Sequence, residues 1–234
     1  MTTAFDNAAS SRPGRKTGAA EKLLAAAGAL MIERNSTEIS LSDIAEKSGV
    51  NAALVKYHFG NKDGLLLALL EQNAAAEMRQ LAYLLAQPIS PTAKLRLHIA
   101  GIVKAYHRCP YMNRLIHYLL HESSPQAADE VSKFFVAPLL EFHRRLLAEG
   151  IEAGELRPID PVFFYTALIG ACDHLFAGRY AMSRASGVGP ITGEVCRQYT
   201  TFLESMIFTG LLANAAAATN GPPGFAGLQE LNVG

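Results

Sequence analysis

Between Ser40 and Lys62 the apolar positions follow a helical period that Gly49 interrupts. Leu41, Ile44 and Ala45 recur at i, i+3 and i+4, with Ser40 or Ser42 placed to cap the helix they define. Gly49 suits a left-handed turn, and Val50 behind it supplies a buried anchor between two short helices. Asn51 can then cap a second helix, residues 52–58, whose Val55 and Phe59 lie four apart and face inward. Its other side carries Lys56 and His58, with Tyr57 at the edge. Asn61 caps a further start at Lys62, where unpaired backbone N–H groups and a lysine favour a phosphate oxygen. Two short helices joined by a tight glycine turn have the layout of a helix-turn-helix DNA reader.

Helical spacing continues downstream. Residues 62–86 place Leu66, Leu69, Leu70, Leu81 and Leu85 inward and end before Pro88; residues 92–107 do the same with Leu95, Ile99, Ile102 and Val103 until Cys109-Pro110. A short helix over 111–122 follows, then one opened by Ser123-Ser124-Pro125 that runs to about 153 and meets Gly154. Two late helices are expected over 160–183 and 190–213, the first with Pro161 in its opening turn. Their small faces, Ala167, Gly170, Ala171 and His174 on one and Phe202, Ser205, Met206, Thr209 and Gly210 on the other, permit close helix approach. That approach serves either packing within one monomer or a dimer interface. The expected fold is all-α: an N-terminal three-helix helix-turn-helix DNA-binding domain over 17–62 and a C-terminal helical domain over 63–213.

Composition narrows the function. Half of the 234 residues are apolar and tryptophan is absent, which suits a sizeable helical core. The formal net charge is zero, yet residues 12–62 hold eight basic against five acidic side chains, an excess of three that a dimer would double. Arg12, Arg15 and Lys16 close a polar arm, residues 1–16, expected to be disordered and either to lie along DNA or to remain a solvated leader. The Ala-, Gly- and Pro-rich residues 214–234 are expected to be a flexible tail. Cys109, Cys172 and Cys196 fit neither a disulfide framework nor a metal ribbon, so reduced thiols are expected. No signal core and no apolar run near the roughly 20 residues of a membrane span is found, so a cytoplasmic, nucleoid-associated protein with no membrane partner is expected.

Candidate chemistry favours binding over catalysis. His117 and His121 stand four apart, but no His-Glu-x-x-His or paired Glu-x-x-His completes a metal set, so no metal is assigned. There is no Gly-x-Ser-x-Gly elbow, and Gly187-Val-Gly189 lacks the preceding strand of a phosphate loop; neither an enzyme nor a cofactor is expected. Tyr106, Met112, His117, His121, Phe135, Phe164 and His174 are the mixture expected around an apolar ligand pocket, and would equally fill a solid core.

The run from Leu41 through Gly49-Val50, the cluster Tyr57-His58-Phe59 and Asn61-Lys62-Asp63 leading into Leu65 resemble the DNA-binding domain of the Tet-repressor family of bacterial transcription regulators. The resemblance covers residues 17–75 in detail, including a helix over 17–34, and beyond that only length and architecture. Leu54 stands where the family more often has a small residue, and Lys56 where it usually has a tyrosine. The resemblance implies a homodimeric regulator, most often a repressor, that binds double-stranded DNA at a palindromic operator and a small organic effector in its C-terminal domain. It implies DNA contacts from Ser40, Ser42, Asn51, Ala52, Ala53, Leu54, Lys56, Tyr57, His58 and Lys62, and pairing of the last two helices across a two-fold axis. The alternatives are a sequence-tolerant DNA-associated accessory protein without an effector, and a helical enzyme or metal carrier with a helix-turn-helix-like end.

Overall fold

The computed structural model describes residues 18–187 and 189–212. The basic arm, the tail and the last position of the final expected helix, Ala213, lie outside the described residues. Among the described residues the structure is all helical; its single isolated bridge joins Leu156 to Leu212.

Helix α1 (Gly18–Arg34) lays Leu23, Leu24, Ala27 and Met31 into the core. Helix α2 (Leu41–Ser48) is closed by a capping box: the Ser40 hydroxyl accepts from the Asp43 amide at 3.1 Å, and the Asp43 carboxylate accepts from the Ser40 amide at 2.8 Å. Of the two candidate caps, Ser40 is therefore the one used, and Ser42 stays exposed. Gly49 ends α2 in the left-handed region, φ 65°. Helix α3 (Ala53–Phe59) starts one residue later than its sequence suggests, with Asn51 Oδ1 accepting from the Ala53 amide at 2.8 Å. Helix α4 (Lys62–Ala86) is capped by Asn61, whose Oδ1 accepts from the Gly64 amide at 2.8 Å. Helices α1 to α3 and the first turns of α4 form a head around Ile44, Val55, Leu65 and Leu66, all fully buried.

The body holds α5 (Pro91–Arg108), α6 (Met112–His121), α7 (Pro125–Val131), α8 (Ala137–Glu152), α9 (Pro161–Ala177), α10 (Arg179–Ser186) and α11 (Gly193–Leu211). Ser90, Ser124, Asp160 and Thr192 cap four of these starts. Two helices expected to be continuous are interrupted. A π turn, Ser132–Val136, separates α7 from α8 just ahead of Pro138, which has no N–H to give to a carbonyl one turn back. The chain bends again at Gly178, where an added Cβ would stand 2.8 Å from the His174 carbonyl oxygen.

Candidate DNA-contacting surface and its link to the body

Helix α3 has one fully buried side chain, Val55, which fastens it to the head; burial of that size contributes about 1.5–3 kcal/mol. Leu54 and Phe59 are half-buried and pack against the same core. The outward side presents Asn51, Ala53, Lys56 and Tyr57, with Tyr57 80% exposed and its ring 4.9 Å from that of the half-buried His58.

Two glycines hold this helix in place. Gly60, φ 80°, sends the chain from α3 into α4. Gly64 lies against the Phe59 carbonyl so closely that a Cβ would collide with the oxygen. No local sequence signal marks Gly64, because only the fold brings the end of α3 onto the first turn of α4.

Much of the head's formal charge is consumed internally. Arg34 grips Asp43 through two contacts, 2.6 and 2.9 Å, and Lys47 reaches both oxygens of Glu33 at 2.6 and 2.8 Å. The Arg34 guanidinium and then the Ser40 donors hold Asp43 well below the usual carboxylate range. Lys56 is exposed on α3 itself, and Lys62 opens α4 just after it. Lys62 is half-buried, with its Nζ 5.5 Å from the centre of the Tyr118 ring.

That contact belongs to a seam in which α6 touches the head at three places. The Tyr118 hydroxyl donates to Asp63 at 3.2 Å, and Asp63 also accepts from the Ser124 amide at 3.3 Å. Arg114 donates to the Asn35 side chain at 2.6 Å, where Asn35 ends α1 with φ 49°. Tyr111, just before α6, accepts from Asn73 at 2.9 Å, and its hydroxyl lies 2.9 Å from where a Cβ on Gly28 would stand. A cleft of about 310 Å³ opens beside it, lined by Leu24, Gly28, Ile32, Leu69 and Asn73; none of the expected pocket residues lines it.

The profile described as "Bacterial regulatory proteins, tetR family" matches residues 23–69, and "Tetracyclin repressor-like, C-terminal domain" matches residues 88–217, more than half the chain. The chain belongs to the tetR family. It is a transcription regulator of that family, with a helix-turn-helix head and a repressor-like C-terminal body. The HTH-type transcriptional regulatory protein RaaS of Mycobacterium tuberculosis is 30% identical over 125 residues, which is 53% of this chain and about half, 54%, of that protein. FadR of Bacillus subtilis, solved with stearoyl-CoA, superposes with a TM-score of 0.63 at 16% identity over 81% of this chain and 98% of that one. AibR, solved with isovaleryl coenzyme A and operator DNA, gives a TM-score of 0.63 at 18% identity over 82% and 99%. At such identities the two structures establish the fold.

In this TetR-family body the expected pocket residues do not come together. Tyr106, Met112 and Phe164 are buried in the core, with Tyr106 stacked on Phe176, and Phe135 is half-buried in the π turn. His117 and His121 instead face solvent, because α6 buries Leu115, Ile116 and Leu119 on its other side. His174 is also exposed, since α9 turns Leu168, Cys172 and Phe176 inward and leaves Ala167, Gly170 and His174 outside. On α11, Phe202, Ser205, Met206, Thr209 and Gly210 are exposed as well, and Ala171 is half-buried. The histidines that do lie inside, His98 and His143, had no signal in their spacing, being 45 residues apart.

Proposed function

We propose that this regulator is a homodimeric repressor whose operator affinity falls when a small organic effector binds in the body. The carrying observation is the outward row of α3, Lys56 and Tyr57 exposed on a helix pinned by Val55 between two glycine turns. Two such helices would enter successive major grooves of a palindrome about 34–36 Å apart. Asn51, Ala52, Ala53 and the exposed part of Leu54 would lie nearest the bases. Lys56 would reach a phosphate or a guanine edge, and Tyr57, His58 and Lys62 would hold backbone phosphates, with Ser40 and Ser42 at the flank.

Dimer formation is supported by apolar side chains left in water on neighbouring helices: Phe163 on α9, and Phe202 and Met206 on α11, are each at least half exposed. The Tyr199 hydroxyl ties α11 to the Ala171 carbonyl of α9 at 2.6 Å, so the two helices present one surface. The switch is supported by the α6 seam. An effector that favours a shifted α6 would move Tyr118 and Arg114, and with them Asp63, Asn35 and the heads. An organic effector is further supported by FadR and AibR, proteins of this fold solved in complex with stearoyl-CoA and with isovaleryl coenzyme A.

The combined change Phe202→Asp and Met206→Asp tests the assembly. Sedimentation should then read a monomer, and operator affinity should fall by roughly 10²-fold or more with the loss of bivalency. A variant that still sediments as a dimer and binds operator unchanged would refute this interface.

A further inference from the structure

His98 of α5 and His143 of α8 are buried, 5% and 0% exposed, in a body whose other interior side chains are nearly all apolar. Their Nε2 atoms stand 2.9 Å apart, so one ring donates and the other accepts. Phe142 packs 4.5 Å from the His98 ring, and Phe164 and Tyr165 of α9 lie 5.6 and 5.7 Å from that of His143. Nδ1 of His143 lies near the Leu139 carbonyl one turn back but forms no hydrogen bond of acceptable geometry, leaving a buried nitrogen unpaired. Two apolar side chains would fill this space without polar atoms to satisfy.

We propose that His98 and His143 together receive the carboxylate of an apolar organic acid that enters between α5, α8 and α9. The inference rests on reading the body as the effector-binding part. Burial makes both imidazoles poor bases, His143 pushed down to about 4 and His98 also well below its ordinary value. Around them α9 presents the Tyr165 phenol, while Asp173 of α9 acts on Tyr106. Of the carboxylates on the surrounding helices, Glu77 of α4 is paired with Arg108, Glu141 and Glu149 of α8 with Arg144 and Lys94, and Glu204 of α11 with Arg96, while Glu152 of α8 is exposed. Among the described residues no carboxylate is hydrogen-bonded to either imidazole, so a proton taken up by the pair would have no contacting anion to balance it.

A carboxylate supplies the missing charge. The acid enters as an anion with one proton drawn from water; His143 becomes doubly protonated, and each Nε2–H donates to one carboxylate oxygen. The His98–His143 contact opens, and α5 parts from α8. Among the described residues no third His, Cys, Asp or Glu joins the pair, so a metal lacks its donor set.

The test uses the full chain with acetate, phenylacetate and decanoate, each beside its alcohol, by calorimetry near neutral pH in buffers of different ionisation heat. Phenylacetate or decanoate should bind roughly tenfold or more tightly than its alcohol, with about one proton taken up per site. His143→Leu and His98→Phe should abolish that preference. The proposal fails if no acid outbinds its alcohol, if no proton is taken up, or if both variants keep the preference. Should the variants not fold, the proton uptake of the unaltered chain decides. Tighter binding of decanoyl coenzyme A than of decanoate would overturn the carboxylate assignment and leave the effector reading standing. Acid binding through the pair with operator affinity unchanged would uphold the site and refute the switch.

Discussion

In the head, polar side chains fix the backbone locally: Ser40 and Asp43 close α2, Asn51 starts α3, and Asn61 starts α4, each within three residues of its partner. In the body, the polar contacts that matter join distant parts of the chain, Tyr118 to Asp63 across 55 residues and His98 to His143 across 45. The head thus spends its polar groups on holding one shape and leaves the outer row of α3 exposed. The body carries a polar pair in its interior and a hydrogen-bonded seam to the head. A rigid reader and a convertible interior are what a ligand-controlled regulator requires of its two parts.

Gly64→Ala should break the contrast most severely. A methyl group there meets the Phe59 carbonyl, so α3 must shift or the head must loosen. Operator binding should be lost, with head stability lowered by about 1–3 kcal/mol in denaturant titrations. Full operator affinity in this variant would show that α3 tolerates displacement. Lys56→Ala comes next. It should weaken operator binding by roughly ten- to hundredfold in fluorescence anisotropy, and if Lys56 touches only phosphate the salt slope should fall by about 0.9 for each copy lost.

Acid should act on the body. Both imidazoles titrate lower when folded, so the unfolded chain takes up protons first and stability is complete only above the unfolded value of about 6.5. Stability should fall as pH drops from there toward about 4, the folded value of His143. That residue's share at pH 5 is about 2 kcal/mol. Thermal melts of the chain should fall between about pH 6.5 and 4 more steeply than those of His143→Leu, so the two curves should move relative to each other as the pH drops; parallel curves would contradict a buried neutral pair.

The head was largely legible in the sequence because its signals are local: a serine ahead of an apolar helical period, a glycine at a left-handed turn, an asparagine before a lysine. Gly64 escaped because its need arises from a carbonyl that only the folded turn brings near. In the body, helical periodicity located the elements but not their breaks at Pro138 and Gly178. The i, i+4 spacing of His117 and His121 drew attention to a solvent face, whereas the interior pair depends on how α5 crosses α8, which no spacing encodes.

The smallest expected effect is at the seam. Tyr118→Phe removes one hydrogen bond to Asp63, worth about 0.5–1.5 kcal/mol, and should change how strongly effector and operator oppose each other more than it changes either affinity alone. Equal coupling before and after the change would take Tyr118 out of the link.

Selection of binding sites from random double-stranded DNA tests the central claim, that paired copies of α3 read a symmetric operator, most directly. The account predicts a palindrome whose half-sites are centred about one helical turn apart, with Lys56→Ala losing preference or affinity at equivalent positions in both halves. Enrichment of an asymmetric site, or none over bulk DNA, would contradict it.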